Sequence, residues 1–134
     1  MTAASWPSPA CRRRSSVEGQ PALALSVDLT ELAAAAPRNV ARLLPAFDPW
    51  VIGVARHEPM IDAQHVARVY RQQGWVSPVI LVNGRIAGVW RHKHTGRRLA
   101  VELEPFEPFP AWAGRQLAAE TRRLATFLDC ELSA

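Results

Sequence analysis

The residues with the clearest chemical capacity lie close together. Arg85, Arg91, Lys93, Arg97 and Arg98 occupy one short stretch, with His92 and His94 among them and no acidic residue between Arg85 and Arg98. These five cations exceed the net +4 of the whole 134-residue chain, so the remainder is close to neutral. A patch of this kind favours a polyanionic partner, because each phosphate neutralised by Lys or Arg releases condensed counterions. The bland alternative is edge protection, since exposed strands carry Lys and Arg to block edge-to-edge pairing. Five cations without an intervening acid exceed what that role needs. His92 and His94, at i and i+2 on a strand, are spaced to share a metal. No third ligand is nearby and the surrounding cations would repel the ion, so no metal or cofactor is expected. His57 and His65 are isolated.

Other chemistries find less support. Asp48, Glu58 and Asp62 have no spacing that fixes them as an acid/base set, and Asp48-Pro49 fits a turn. The chain has no Gly-x-Ser-x-Gly elbow and no Gly-rich phosphate loop. Trp50, Trp75, Trp90 and Trp112 offer rings on which bases stack. Each has apolar neighbours and reads as core, with Trp90 the one to test because it adjoins the basic tip. Cys11 and Cys130 lie at opposite ends, and neither a disulfide nor a zinc spacing is expected. A cytoplasmic setting is the default for such thiols. No apolar run reaches the length of a membrane span, and no secretory signal opens the chain.

The elements that must position the basic residues come next. At 134 residues and 49% hydrophobic, the chain is sized for one domain with a core. Residues 1–22, rich in Ser, Pro, Ala and Arg without apolar period, read as a disordered tail. Residues 23–134 read as the domain. Leu23 to Val27 alternates as a short strand. Asp28, with Glu31 three residues on, reads as the capping box of a two-turn helix that Pro37 ends. Leu43 to Trp50 reads as a buried, fixed loop, and Val51 to Val54 as a helical turn. Asp62 reads as the cap of a second helix with Val66, Val69, Tyr70 and Gln73 on one face, closed by Gly74.

The clearest local signal follows. Val79-Ile80-Leu81-Val82 is joined by Asn83-Gly84 to Arg85-Ile86-Ala87-Gly88-Val89-Trp90, and Asn-Gly tolerates the positive φ of a type I′ turn. Thr95-Gly96 marks a second turn, and Leu99, Val101 and Leu103 alternate with polar residues as a third strand. A final helix is expected from Ala111 to Asp129, striped by Ala113, Leu117, Thr121, Leu124 and Leu128 with Phe127 beside it. The architecture reads as α+β: a small antiparallel sheet, a three-stranded meander, with packed helices.

Four motifs in order resemble one family. They are LLPAFDPW (Leu43–Trp50), PVILVNGRIAGVWR from Pro78, VELEPF from Val101, and LAAETRRLATFL from Leu117. In order and spacing they are similar to the C-terminal portion of the winged-helix DNA glycosylases of the AlkZ/YcaQ type, over roughly Val27 to Leu128. The resemblance implies a bacterial DNA-repair protein that stacks winged-helix units, ends in a small β-barrel-like domain, and removes alkylated or crosslinked purines. It further implies that the basic hairpin faces duplex DNA, through Arg85, Arg91, Lys93, Arg97 and Arg98. The family's paired glutamines, one residue apart in its N-terminal part, have no counterpart here. Gln72 and Gln73 are adjacent and close a helix, so no catalytic residue is carried over. The chain thus reads as a truncated C-terminal domain that binds DNA and is not catalytic alone. Two other readings stand beside it. One is an interaction or remnant domain without DNA affinity. The other is an enzyme whose winged-helix domains come from another chain.

Overall fold

The structure is a computed structural model and describes residues 12–17, 19–53 and 60–133. It divides into two compact units, 1–37 and 38–134. In the first, strand β1 (Arg12–Val17) pairs antiparallel with β2 (Gln20–Leu25), and helix α1 (Leu29–Ala34) follows. Part of the expected disordered tail is therefore a hairpin. Gly19, at φ 81°, lies in the turn. β1 is exposed along its whole length, so no apolar alternation marked it in the sequence. Asp28 stands at the N-cap position of α1 and its carbonyl accepts from Leu32 N at 2.8 Å, but its side chain does not cap. Its backbone is helical (φ −88°, ψ −18°), whereas a capping side chain reaches back from extended backbone.

The second unit is α+β, as expected, but its sheet is larger than a three-stranded meander. Strands β3 (Ala41–Leu44), β4 (Val79–Val82), β5 (Arg85–Thr95), β6 (Arg98–Pro105) and β7 (Glu131–Leu132) form a five-stranded sheet in the order β3-β4-β5-β6-β7. β7 pairs parallel with β6 and the other pairs are antiparallel, giving a curled, mixed half-barrel. The two flanking strands escaped the sequence because they are four and two residues long, too short to show a period. β3 takes its partner about forty residues downstream, and the first two residues of the expected LLPAFDPW loop, Leu43 and Leu44, are thus strand.

The Asn83-Gly84 turn forms as read, with positive φ at both residues (49° and 80°). Asn83 also anchors β3. Its Oδ1 accepts from Val40 N at 2.8 Å, and its own N–H donates to Val40 O at 2.8 Å. β4 is covered on both faces, which explains why it is an unbroken apolar run. Val79 and Leu81 pack with Ile86 and Val89 against Val51 and Val69. On the other face Ile80 and Val82 pack with Trp90 and Leu103 against Ala113 and Leu117. The latter two belong to helix α4 (Ala111–Phe127). A register shift between Ile80 and Leu81 lets Ile86 and Val89, three apart, point to the same face. Full burial of a side chain such as Ile80 or Leu117 stabilises the fold by about 1.5–3 kcal/mol.

The expected second helix is broken. A 3₁₀ turn (Ala63–His65) leads into a single turn, α3 (Val66–Val69), and the chain leaves the helix at Tyr70 (φ −96°, ψ 90°). Tyr70 instead bridges Val76, and its hydroxyl donates to Val51 O at 2.8 Å. These tertiary bonds override a helical pattern of weak propensity. Asp62 stands at the N-terminal end but does not cap, because Arg85 holds its carboxylate. Helix α2 (Pro49–Gly53) forms near the expected turn, and Asp48 Oδ1 accepts from Trp50 N at 2.9 Å.

Candidate nucleic-acid interface

Four of the five basic residues sit on the β5–β6 hairpin, whose outer half carries exposed side chains from Arg91 to Arg98. The hairpin turns at Gly96-Arg97, with positive φ at Gly96 only (58°), as a type II′ turn requires. Strand pairing sets two faces. Arg91 opposes Glu102, Lys93 opposes Ala100 and Thr95 opposes Arg98, while His92 opposes Val101 and His94 opposes Leu99. Arg91, Lys93 and Arg98 therefore share one face of the hairpin, and the histidines share the other.

The acids absent from the run arrive from elsewhere in the fold. Arg91 donates to both oxygens of Glu102, at 2.9 and 2.8 Å, and its Nη1 lies 3.1 Å from Glu104. Arg68, from α3, takes the other Glu104 oxygen at 3.0 Å. Arg85 lies 3.1 Å from Asp62, and Arg97 lies 3.2 Å from Asp129. The bidentate bond and the facing charge raise the pKa of Arg91, and the same contacts hold the Glu102 carboxyl below its ordinary value. Among the described residues Lys93 and Arg98 have no ion-pair partner. Arg91, Lys93, Arg97 and Arg98 are thus brought to the outer half of this hairpin, whereas Arg85 lies at the other end of β5, opposite Val82 beside the Asn83-Gly84 turn.

The histidines do not converge. The His92 ring lies 5.5 Å from that of Trp90, whereas His94 Nε2 lies 3.0 Å from Cys130 Sγ. His65 stacks on Phe106 at 4.0 Å. His57, Glu58 and Cys11 lie outside the described residues. Trp90, expected to be the ring available at the basic tip, is 7% exposed and donates from Nε1 to Leu44 O at 2.8 Å. It is core. Among the described residues the exposed indole is Trp75, at 49%, with the Phe47 ring edge-to-face against it at a centroid distance of 4.9 Å.

Beside the hairpin lies an open concavity lined by Arg68, Arg71, Trp75, Arg91, His92 and Glu104. Sequence reasoning missed Arg68, Arg71 and the two glutamates. No local signal marks them, because Arg68 and Glu104 are 36 positions apart and meet only through the tertiary fold.

A family model described as DNA glycosylase AlkZ-like matches residues 11–127, most of the chain. The chain belongs to the AlkZ-like DNA glycosylase family. An AlkZ-like relative from Streptomyces sahachiroi, an interstrand DNA cross-link repair glycosylase, is 41% identical over 75 residues, which are 55% of this chain and 20% of that protein. The solved structure of the Streptomyces sahachiroi DNA glycosylase AlkZ superposes with a TM-score of 0.70 at 31% identity, over 93% of this chain and 34% of that one. The chain thus spans about a third of the length of its solved AlkZ-like relative. Among the described residues no helix is long and apolar enough to cross a membrane.

Proposed function

We propose that this chain is a DNA-contacting domain of a bacterial, cytoplasmic AlkZ-like repair protein and corresponds to the C-terminal portion of its longer relatives. The single observation that carries this reading is the β5–β6 hairpin, which projects Lys93 and Arg98, without an ion-pair partner among the described residues, beside Arg91 and Arg97. A protruding hairpin with several cations suits the phosphates of a duplex. Exposed single ion pairs are screened by solvent, so Arg97 can exchange its carboxylate for a phosphate at little cost, whereas Arg91 is held by two glutamates. In this reading excision of an alkylated or crosslinked purine is the work of winged-helix domains, with this chain holding the duplex.

Fluorescence anisotropy of a labelled duplex, titrated at several salt concentrations, tests this. Two phosphates held by Lys93 and Arg98 give a slope of log K against log salt of about −2, and recruitment of Arg97 takes it to about −3. Changing Arg91, Lys93, Arg97 and Arg98 together to Ala abolishes the slope. Equal binding by that variant, or none by the folded chain, removes the hairpin from the function. The second reading, a protein-interaction domain without DNA affinity, draws on Phe127, which is 84% exposed near the end of α4.

A further inference from the structure

The hairpin cations do not stand alone on their side of the molecule. The concavity that begins at Arg91 and His92 continues past Arg68 to Arg71 and Trp75. A second concavity, lined by Tyr70, Arg71, Gln72, Gln73 and Trp75, meets it there, so Arg71 and Trp75 line both. The segment that presents them is a tight loop. Arg71 N donates to Trp75 O at 2.8 Å, Tyr70 and Val76 close the base as a β-bridge, and Tyr70 is tied to Val51. Within it Gln73 adopts a left-handed backbone (φ 60°, ψ 24°), a conformation that costs a non-glycine residue free energy and persists only where its surroundings enforce it. Phe47 braces the indole edge-on, yet half of Trp75 stays in solvent. Among the described residues Arg71 has no acidic partner, unlike Arg68 and Arg91.

An indole braced on a rigid loop, beside an unpaired guanidinium, with two carboxamides on the rim, is poorly suited to an apolar protein surface. It is well suited to nucleic acid. The indole face stacks on a base of any sequence, the guanidinium meets the adjoining phosphate, and glutamine amides complement base edges. We propose that Trp75 and Arg71 form a second nucleic-acid contact, at which one unpaired base stacks on the Trp75 indole while Arg71 holds its flanking phosphate. The track from Lys93 through Arg91 and Arg68 to Arg71 joins this contact to the hairpin. The inference rests on the reading of the hairpin as DNA-facing.

The test uses the full chain and two labelled probes: a blunt duplex, and the same duplex with a short single-stranded thymidine overhang. Trp75→Ala is expected to weaken binding of the overhang probe about 5- to 150-fold, the range for one lost base–aromatic stack, and to leave the blunt duplex unchanged. Trp75→Phe restores most of the loss, and Arg71→Ala flattens the salt slope on the overhang probe by about 0.7. The inference is overturned if Trp75→Ala binds both probes like the parent, if it weakens both equally, or if Phe is no better than Ala. Loss of hairpin-dependent binding to both probes marks failure of the hairpin reading. Intact hairpin-dependent binding with an indifferent Trp75 marks failure of this inference alone, and gives the surface to a protein partner.

Discussion

Arg91 holds both oxygens of Glu102 and one of Glu104, although its own stretch of sequence is free of acids. Both members of the Arg91–Glu102 pair are solvent-exposed, so the pair sets the local field more than it holds the fold together. Glu102 and Glu104 withhold Arg91 from any phosphate. Changing both to Gln is expected to release it and steepen the salt slope of duplex binding by about one, read by anisotropy. An unchanged or shallower slope would show that Arg91 does not reach DNA. The pH dependence has a definite sign. Glu102 titrates lower in the folded chain than in the unfolded one, so its contribution to stability is present above the ordinary carboxylate range. It is lost as pH falls through the lowered value. Glu102→Gln should therefore melt below the parent at neutral pH and converge with it in strong acid.

The β5–β6 hairpin depends on one close backbone approach. A Cβ added to Gly88 would stand 2.6 Å from Glu104 O and 3.0 Å from Pro105 Cα, both backbone atoms that cannot swing away. Gly88 faces Pro105 where β6 ends, and Phe106 N then donates to Ala87 O at 3.0 Å as the chain departs. Gly88→Ala must spread the pairing there, at a cost of about 1–3 kcal/mol. A domain of this size then loses at least about 4 °C in Tm, measured by thermal unfolding followed by circular dichroism. An Ala variant that melts with the parent would mean that the two strands part freely at this point. Of the elements themselves, those with local causes were legible. Asn83-Gly84 dictates its turn, and α4 carries an apolar stripe long enough to read, ending at Phe127 near the expected Asp129. The helix through Val66 and Tyr70 was misread because its ending is a bridge to Val76, a bond that hydrophobic period does not report.

At the scale of the molecule the two units differ in what they bury. Among the described residues of unit 1, β1 is exposed throughout and α1 has no buried residue. Unit 2 buries Val79, Ile80, Leu99 and Leu117 completely. Stability therefore concentrates in unit 2. Amide hydrogen exchange should show the β4 and β5 amides, such as those of Ile80 and Trp90, opening only with global unfolding. The β1 and β2 amides should exchange about 10³-fold faster or more, the factor that corresponds to roughly 5 kcal/mol of global stability. Comparable protection in both units would refute that division.

The sequence by itself determined what neighbouring residues settle between them. It placed the two tight turns, the strands they join, the last helix, the α+β class and the concentration of cations in one hairpin, because turn chemistry and period act within a few residues. The four-motif resemblance to the AlkZ-type glycosylases was legible for the same reason, and the family match bears it out. Only the tertiary structure decided which cations stay unpaired. The carboxylates facing Arg85, Arg91 and Arg97 come from Asp62, β6 and the segment after α4, brought there by strand register and helix packing. It also decided which tryptophan meets solvent. Trp90 points to the α4 face and is sealed there, whereas Trp75 leaves the sheet on a loop whose shape is held by bonds to Val76 and Val51. Exposure is a property of what the rest of the chain covers, and no local pattern encodes it.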